Sequence, residues 1–495
     1  MAFILSSENV KATDVAASKA GIPLEVLVEA AGRAVADAIK RHHSTDARVI
    51  VVCGKGLNGA DGFACARWLC LYGFEVKILH VPLRSASEIV KIFARATSSF
   101  CPMFAIEDHL QSLETAEIIV DALLGVGFKP PLRTLEHSIV QKINLSPAKV
   151  WAVDLPSGMV ADHPQFETAD VVRADHTITF TGFKPALLFN PTREIAGQIE
   201  LINPGFPSAL IEQIGEIAEF TTLKNHAKTI TSRATDAHKG TSGRVFILGG
   251  LDQYPGAPAL AVRGAFRAGA GLVTVVAPVN AGLQAPVEAT RHTIKAWISY
   301  ELEFLKLERM DALAFGMGVG KIEPDIVAFL LTLDKHLVLD ADALQPWLIP
   351  LLQQLPTSHP GVIISPHPGE AARMLETTVL EVSKNSLEAA KKLASLTRAV
   401  VILKGGPTVV ASQTKLWVNS SGNPGMATGG MGDVLSGVLA GLIAQAPPAS
   451  SLEQIAQLGV YLHGLAGDLA ASDKDLGLLA SEVADLIPVA LKSLR

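Results

Sequence analysis

Short β-branched runs alternate with longer amphipathic stretches along almost the whole chain, and this alternation limits the fold more than any other feature. Runs such as Val49-Ile50-Val51-Val52 are apolar at successive positions, so both faces of the strand must be buried. A parallel sheet covered by helices on each side provides that burial, which makes the chain an α/β protein. In the first half the pattern predicts strands at Val49-Ile50-Val51-Val52, Val76-Lys77-Ile78-Leu79, Ile118-Ile119-Val120-Asp121, 150–154 and 176–180. A helix over 63–71 lies between the first two, and an opening helical stretch, 7–40, is broken at Gly21-Ile22-Pro23.

After a linker, 203–233, the alternation restarts. Strands are predicted at 245–248, 272–276, 312–315, 337–340, 362–364 and 400–403, then a hairpin from 408–411 and 416–418. A chain of 495 residues exceeds one ordinary core. The expected division is one α/β domain over 1–220 and another over 221–495. With 49% hydrophobic and 18% charged residues, disorder is excluded. A net charge of −6 leaves no footprint for nucleic acid, which is not expected as a partner. The start, MAFILSSENV, lacks a basic region and a signal-length apolar stretch, and 434–446 is too short to span a membrane. No membrane association and a cytoplasmic location follow as expectations. The 4 cysteines form no CxxC pair and are expected to be reduced, packed thiols.

In open α/β sheets, ligands gather beyond the carboxyl ends of the strands. Three such ends in the first half carry polar, glycine-rich sequence. The strand at 49 runs into Gly54-Lys55-Gly56-Leu57-Asn58-Gly59-Ala60-Asp61-Gly62 and a helix. The strand at 118 ends in Asp121 ahead of Gly125-Val126-Gly127-Phe128-Lys129-Pro130-Pro131, and the strand at 150 ends in Asp154 ahead of Leu155-Pro156-Ser157-Gly158. Any one of these could be a tight turn or a helix cap; three together point to a site.

These segments, with Asp14 and Leu27-Val28-Glu29-Ala30-Ala31-Gly32-Arg33, resemble NAD(P)H-hydrate epimerases over roughly residues 5–205. The resemblance implies a Rossmann-like, three-layer αβα fold. It also implies that Leu57, Asn58, Gly59, Ala60 and Asp61, together with Gly125, Val126, Gly127, Phe128, Lys129, Pro130 and Pro131, bind the hydrated cofactor. Asp154 would contact the hydrate as the acid/base group, and Asn58, Asp121 and Ser157 would hold K+ through hard oxygens. Lys55, Leu57 and Ala60 depart from the family's usual Asn, Asn and Gly. An alanine at 60 would be strained if that position required positive φ.

In the second half, Gly422-Asn423-Pro424-Gly425-Met426-Ala427-Thr428-Gly429-Gly430-Met431-Gly432-Asp433 precedes apolar residues at helical spacing. A helix tip behind such a turn can hold phosphate oxygens, and Asp433 beside it could take a proton from an attacking hydroxyl. An N-cap role for Asp433 is compatible with this. Further strand-end loops are 249–250 with 254–259, 316–320, Ser365-Pro366-His367-Pro368-Gly369-Glu370, and Lys404-Gly405-Gly406-Pro407-Thr408.

Together with 238–244, 267–273 and Asp340-Ala341-Asp342-Ala343-Leu344, these motifs resemble the ribokinase-like superfamily. They are most similar to its NAD(P)H-hydrate dehydratase branch, over roughly 225–490. The resemblance implies a ribokinase-like αβα fold in which Ala257, Gly318, Gly320, His367 and Asp433 contact the hydrate. Lys404, Gly405, Gly406, Pro407, Thr408 and Gly432 would bind the nucleotide, and Asp433 would be the catalytic base. The implied partners are hydrated NADH or NADPH and ADP as co-substrate, with Mg2+ in the second domain and a homo-oligomer as the expected assembly. The rival reading is a vitamin or sugar kinase fused to a catalytically silent dimerisation or ligand-binding domain.

Overall fold

The structure, a computed structural model, describes residues 2–164, 167–215, 217–221, 233, 235–282, 284–447, 449–472 and 476–494. The chain divides into two compact units, Ala2–Ala218 and Glu219–Arg495 with Met1.

The first unit is a three-layer αβα sandwich around seven parallel strands: β1 (Arg48–Cys53), β2 (Glu75–His80), β3 (Met103–Ala105), β4 (Ile118–Ala122), β5 (Lys149–Val153), β6 (His176–Phe180) and β7 (Gln198–Ile202). Their spatial order is β3-β2-β1-β4-β5-β6-β7. The chain starts at β1 in the middle, moves to one edge, then returns past β1 to the other. Both sides of β1 are buried, in different cores. Val49, Val51 and Cys53 pack with residues of α2 (Leu24–His42) and α3 (Leu57–Tyr72), whereas Ile50 and Val52 meet Ile139, Val140 and Ile143. This two-sided burial is what the unbroken apolar run encodes. The opening stretch is split as expected, into α1 (Ser7–Lys19) and α2.

In the second unit ten strands follow: β8 (Ala218–Thr221), β9 (Arg244–Leu248), β10 (Leu272–Pro278), β11 (Thr290–Ile294), β12 (Ala312–Phe315), β13 (His336–Leu339), β14 (Val362–Ile364), β15 (Val400–Leu403), β16 (Val409–Ala411) and β17 (Leu416–Asn419). They lie in the order β8-β17-β16-β15-β14-β13-β12-β9-β10-β11. Pairing is antiparallel only within β15-β16-β17, where the polar turn between 411 and 416 makes the expected hairpin. Helices α4 (Gly256–Arg267), α5 (Pro368–Met374), α6 (Met431–Ile443) and α7 (Leu452–Ala470) belong to the same unit. α4, α6 and α7 pack on the sheet through Ala261, Val262, Leu435, Leu439 and Val460.

The predicted strands are all present, whereas β3, β7, β8 and β11 escaped the pattern. β3, β7 and β11 are sheet edges; no residue of β7 and only Ile294 of β11 is buried, so neither has the all-apolar run that marks a central strand. The linker holds a helix, Ser208–Ile214, as well as β8, while 222–232 lie outside the described residues. One expectation is overturned. Cys70, near the end of α3, and Cys101, just before β3, form a disulfide across a sequence separation of 31, and only Cys53 and Cys65 are free, buried thiols. The pair is made by helix-to-strand packing, which spacing alone does not reveal. No helix among the described residues is long and apolar enough to cross a membrane.

Candidate functional site

In the first unit the carboxyl ends of β1, β4 and β5 open onto a cavity of about 580 Å³. Leu57, Asn58 and Asp61 line it, as do Gly125, Val126, Gly127, Phe128 and Asp154; Gly59, Ala60, Lys129, Pro130 and Pro131 are not among its lining residues. For Gly59 and Ala60 the difference arises because 57–62, expected as a loop, is the first part of α3. A helix shows the cavity only one face. Gly59 turns toward Gly54, where a Cβ would come within 2.0 Å of the Gly54 carbonyl oxygen, and Ala60 is fully buried. Ala60 is therefore helical, and its departure from glycine introduces no left-handed strain.

Asn58, Asp121 and Ser157 meet around residue 124. The Asn58 amide donates to the Leu124 carbonyl over 2.8 Å, and the Leu124 amide donates to Ser157 Oγ over 2.8 Å. Asp121 accepts from the Ser157 hydroxyl and amide at 2.6 and 2.7 Å. Burial raises Asp121 to about 6, against the lowering effect of the Ser157 hydrogen bonds.

Asp154 follows β5 with φ +65, a left-handed conformation unusual for a residue with a side chain. Its carboxylate accepts from the Lys184 ammonium, from Thr179 Oγ1 at 3.1 Å and from the Phe180 amide at 3.3 Å. Lys184 is fully buried and also donates to Thr179 Oγ1 at 2.9 Å and the Phe180 carbonyl at 3.0 Å. Asp14, Asp61 and Glu136 also bring carboxyls to the lining of this cavity. Burial, with repulsion from Asp154, raises Asp14 to about 6 and pushes Asp61 far above the carboxylate range. Neither Lys184 nor the acidic character of Asp14 was assigned from sequence. The available signal was a lone lysine four residues beyond the 176–180 strand, in an otherwise apolar stretch.

In the second unit Asp433 is the third residue of α6, behind a turn whose last residue, Gly430, has φ +89. Burial raises its carboxyl to about 7; Asp340 and Asp342 add to this and Lys404 opposes it. Lys404, at the end of β15, puts its ammonium 2.6 Å from Asp340 Oδ1 and 3.9 Å from Glu370 Oε2. Burial alone would favour the neutral amine, but Asp340 and Glu370 hold the ammonium above its ordinary value. Gly432 lies against this pair: a Cβ there would be 3.2 Å from Lys404 Nζ.

The other expected residues converge on the same strand ends. A Cβ on Gly318 would meet the Ala257 Cβ at 3.4 Å, and the Gly320 amide donates to Asp342 Oδ2 over 2.8 Å. His367 caps α5, its Nδ1 accepting from the Gly369 and Glu370 amides. Burial first, then Lys404, lowers its pKa. Glu370, quoted in a motif without a role, is raised to about 7 by burial. The Thr408 hydroxyl donates to the Gly405 carbonyl over 3.1 Å and closes the 404–408 loop. His463 on α7 had no sequence signal; burial and Lys404 lower it to about 4, and its Nε2 finds no hydrogen-bond partner among the described residues.

A family model described as NAD(P)H-hydrate dehydratase matches residues 245–489, and one described as YjeF-related protein N-terminus matches 24–186. The chain is 34% identical over 523 residues to the bifunctional NAD(P)H-hydrate repair enzyme Nnr of Moorella thermoacetica, covering 100% of this chain and 97% of that one. Against the enzyme of the same name from Escherichia coli the identity is 35%, over 94% of this chain and 90% of the relative. The ADP/ATP-dependent NAD(P)H-hydrate dehydratase of Bacillus subtilis, co-crystallised with ATP and Mg2+, superposes with a TM-score of 0.51 at 32% identity; the match covers 56% of this chain and 99% of that one. The second unit shares its fold with that dehydratase. End-to-end similarity to two-domain repair enzymes disfavours a vitamin or sugar kinase with a silent partner domain. The chain belongs to the family of bifunctional NAD(P)H-hydrate repair enzymes.

Proposed function

We propose that this protein restores hydrated NADH and NADPH. Residues 1–220 interconvert the R and S hydrates, and residues 221–495 dehydrate the S hydrate at the expense of ADP, giving AMP and phosphate. The observation that carries this reading is Asp433, raised to about 7 at the tip of α6 beside the Lys404 ammonium. A base is most useful when its pKa lies near the working pH.

Hydroxide is a poor leaving group, so the hydrate hydroxyl is first phosphorylated. Asp433 accepts its proton as the oxygen bonds to the terminal phosphorus of ADP, and the bond from that phosphorus to the bridging oxygen breaks, releasing AMP. Amide groups at the α6 tip, the 404–408 loop and the Lys404 ammonium offset the charge on the phosphoryl oxygens. The ring nitrogen lone pair then expels phosphate, and loss of a proton from the neighbouring carbon restores the double bond. Ala257, Gly318, Gly320 and His367 surround the hydrate. Mg2+ leans on phosphates with only one or two carboxylates, and Glu370, which faces the Lys404 ammonium, fits that need. It would screen phosphate charge.

In the first unit Asp154 is the acid/base group on the hydroxyl-bearing carbon. K+ fits Asn58, Asp121 and Ser157: their oxygens are hard donors, and the Asn58 amide nitrogen is already committed to the Leu124 carbonyl. It would fix the 121–125 loop and add positive potential. A homo-oligomer in the cytoplasm is the expected setting.

The test is incubation of the whole protein with both epimers, ADP and Mg2+, following reduced-nicotinamide absorbance. Recovery of both epimers is expected. Recovery of the S hydrate alone would remove the epimerase assignment, and recovery of neither with ADP or ATP would overturn the proposal.

A further inference from the structure

Asp340 takes part in no step above, yet both of its oxygens are engaged. It follows β13, is 1% exposed, and accepts on Oδ1 from Lys404 Nζ at 2.6 Å and the Ala341 amide at 2.8 Å. Its Oδ2 accepts from the Ser436 hydroxyl at 2.8 Å and would stand 3.4 Å from a Cβ on Gly432. Ser436 lies three residues beyond Asp433 on α6, so the two side chains share one helix face. A single carboxylate thus ties together the end of β13, the end of β15 and the first turns of α6. We propose that Asp340 is the positioning residue of this site: through Ser436 and Lys404 it fixes the tip of α6, and with it the Asp433 carboxylate, against the place where the nucleotide phosphates bind. The inference rests on Asp433 being the base.

The position has an electrostatic consequence. Asp433 faces Asp340 and Asp342 from beyond β13 and Lys404 from β15; Glu370 and His367 from α5 and His463 from α7 surround that lysine in turn. Removing the Asp340 charge withdraws a repulsion and leaves the Lys404 ammonium with Glu370 as its remaining ion-pair partner. Both changes let Asp433 lose its proton at lower pH. Removing the Lys404 charge acts in the opposite direction.

The experiment is the pH profile of kcat/KM for dehydration by the full chain, with purified S hydrate, ADP and Mg2+. In Asp340→Asn the acidic limb moves down by about one pH unit, and the plateau kcat falls about ten- to a hundredfold through misplacement of the base. In Lys404→Gln the limb moves up. Ser436→Ala keeps every charge, so its plateau falls about tenfold with the limb in place. If Asp340→Asn does not fold, the other two carry the test. An unmoved limb in Asp340→Asn, or limbs moving the same way in Asp340→Asn and Lys404→Gln, overturns the inference. Asp433→Asn separates the two levels: if it stays active, the base assignment itself is wrong, whatever the limbs do.

Discussion

Both units set a lysine beside a buried strand-end aspartate, but the two lysines hold different partners. In the first unit Lys184 binds Asp154 itself, the carboxylate proposed to act on the hydrate. In the second, Lys404 binds Asp340, and Asp433 is left nearby without a direct ion pair among the described contacts. The raised groups differ accordingly: Asp14 and Asp61 around Asp154 in one cavity, Asp433 itself in the other. An acid that must deprotonate a hydroxyl near neutral pH is spared the direct cation that would lower its pKa. Asp154, the proposed acid/base group of the first unit, instead has the Lys184 ammonium as a direct partner.

The largest effect expected from this contrast is in Asp433→Asn, where dehydration falls about 10³-fold while epimerisation is unchanged; chiral separation of the hydrates and absorbance recovery measure the two separately. Next is Lys184→Met, which leaves Asp154 buried without its counter-ion. The first unit should lose about 3 kcal/mol of stability, read by thermal unfolding, and epimerisation should fall with it. Unchanged stability would mean that water, not Lys184, satisfies Asp154.

A third, smaller effect concerns pH. Burial raises Asp433 from an ordinary 3.8 to about 7, so the folded state binds that proton more tightly than the unfolded chain does. The associated stabilisation is complete below 3.8 and is lost as pH rises through 7. At pH 8 the wild type therefore bears the whole cost of a buried charge. Asp433→Asn should be more stable there by about 1–2 kcal/mol, the gain disappearing near pH 4. Denaturant titrations at the two pH values check it. The smallest effect is in Ala60→Gly, which restores the family residue in the interior of α3. It should cost about 1 kcal/mol and leave epimerisation unaltered.

How far the sequence could be read depended on burial. Central strands such as 312–315, 362–364 and 400–403 were legible to the residue because two covered faces demand unbroken apolar runs. Edge strands such as Gln198–Ile202 were not, because exposure lets polar residues alternate in. Asp154 and Asp433 stood out by following strands or glycines. Lys184 and His463 did not, and Asp340, though it ends a predicted strand and opens a quoted motif, carried no assigned role, since a pairing such as Lys404 with Asp340 spans 64 residues of sequence. The first turn of α3 was misread as a loop because its glycines serve close packing against Gly54 rather than a change of direction.

The most direct measurement is a single turnover of pure S hydrate with ADP and excess enzyme. We expect NADH, AMP and phosphate in equal amounts, with no lasting phosphorylated intermediate, and no product from Asp433→Asn. A stable phosphorylated compound in place of NADH, or full turnover without Asp433, would contradict the account.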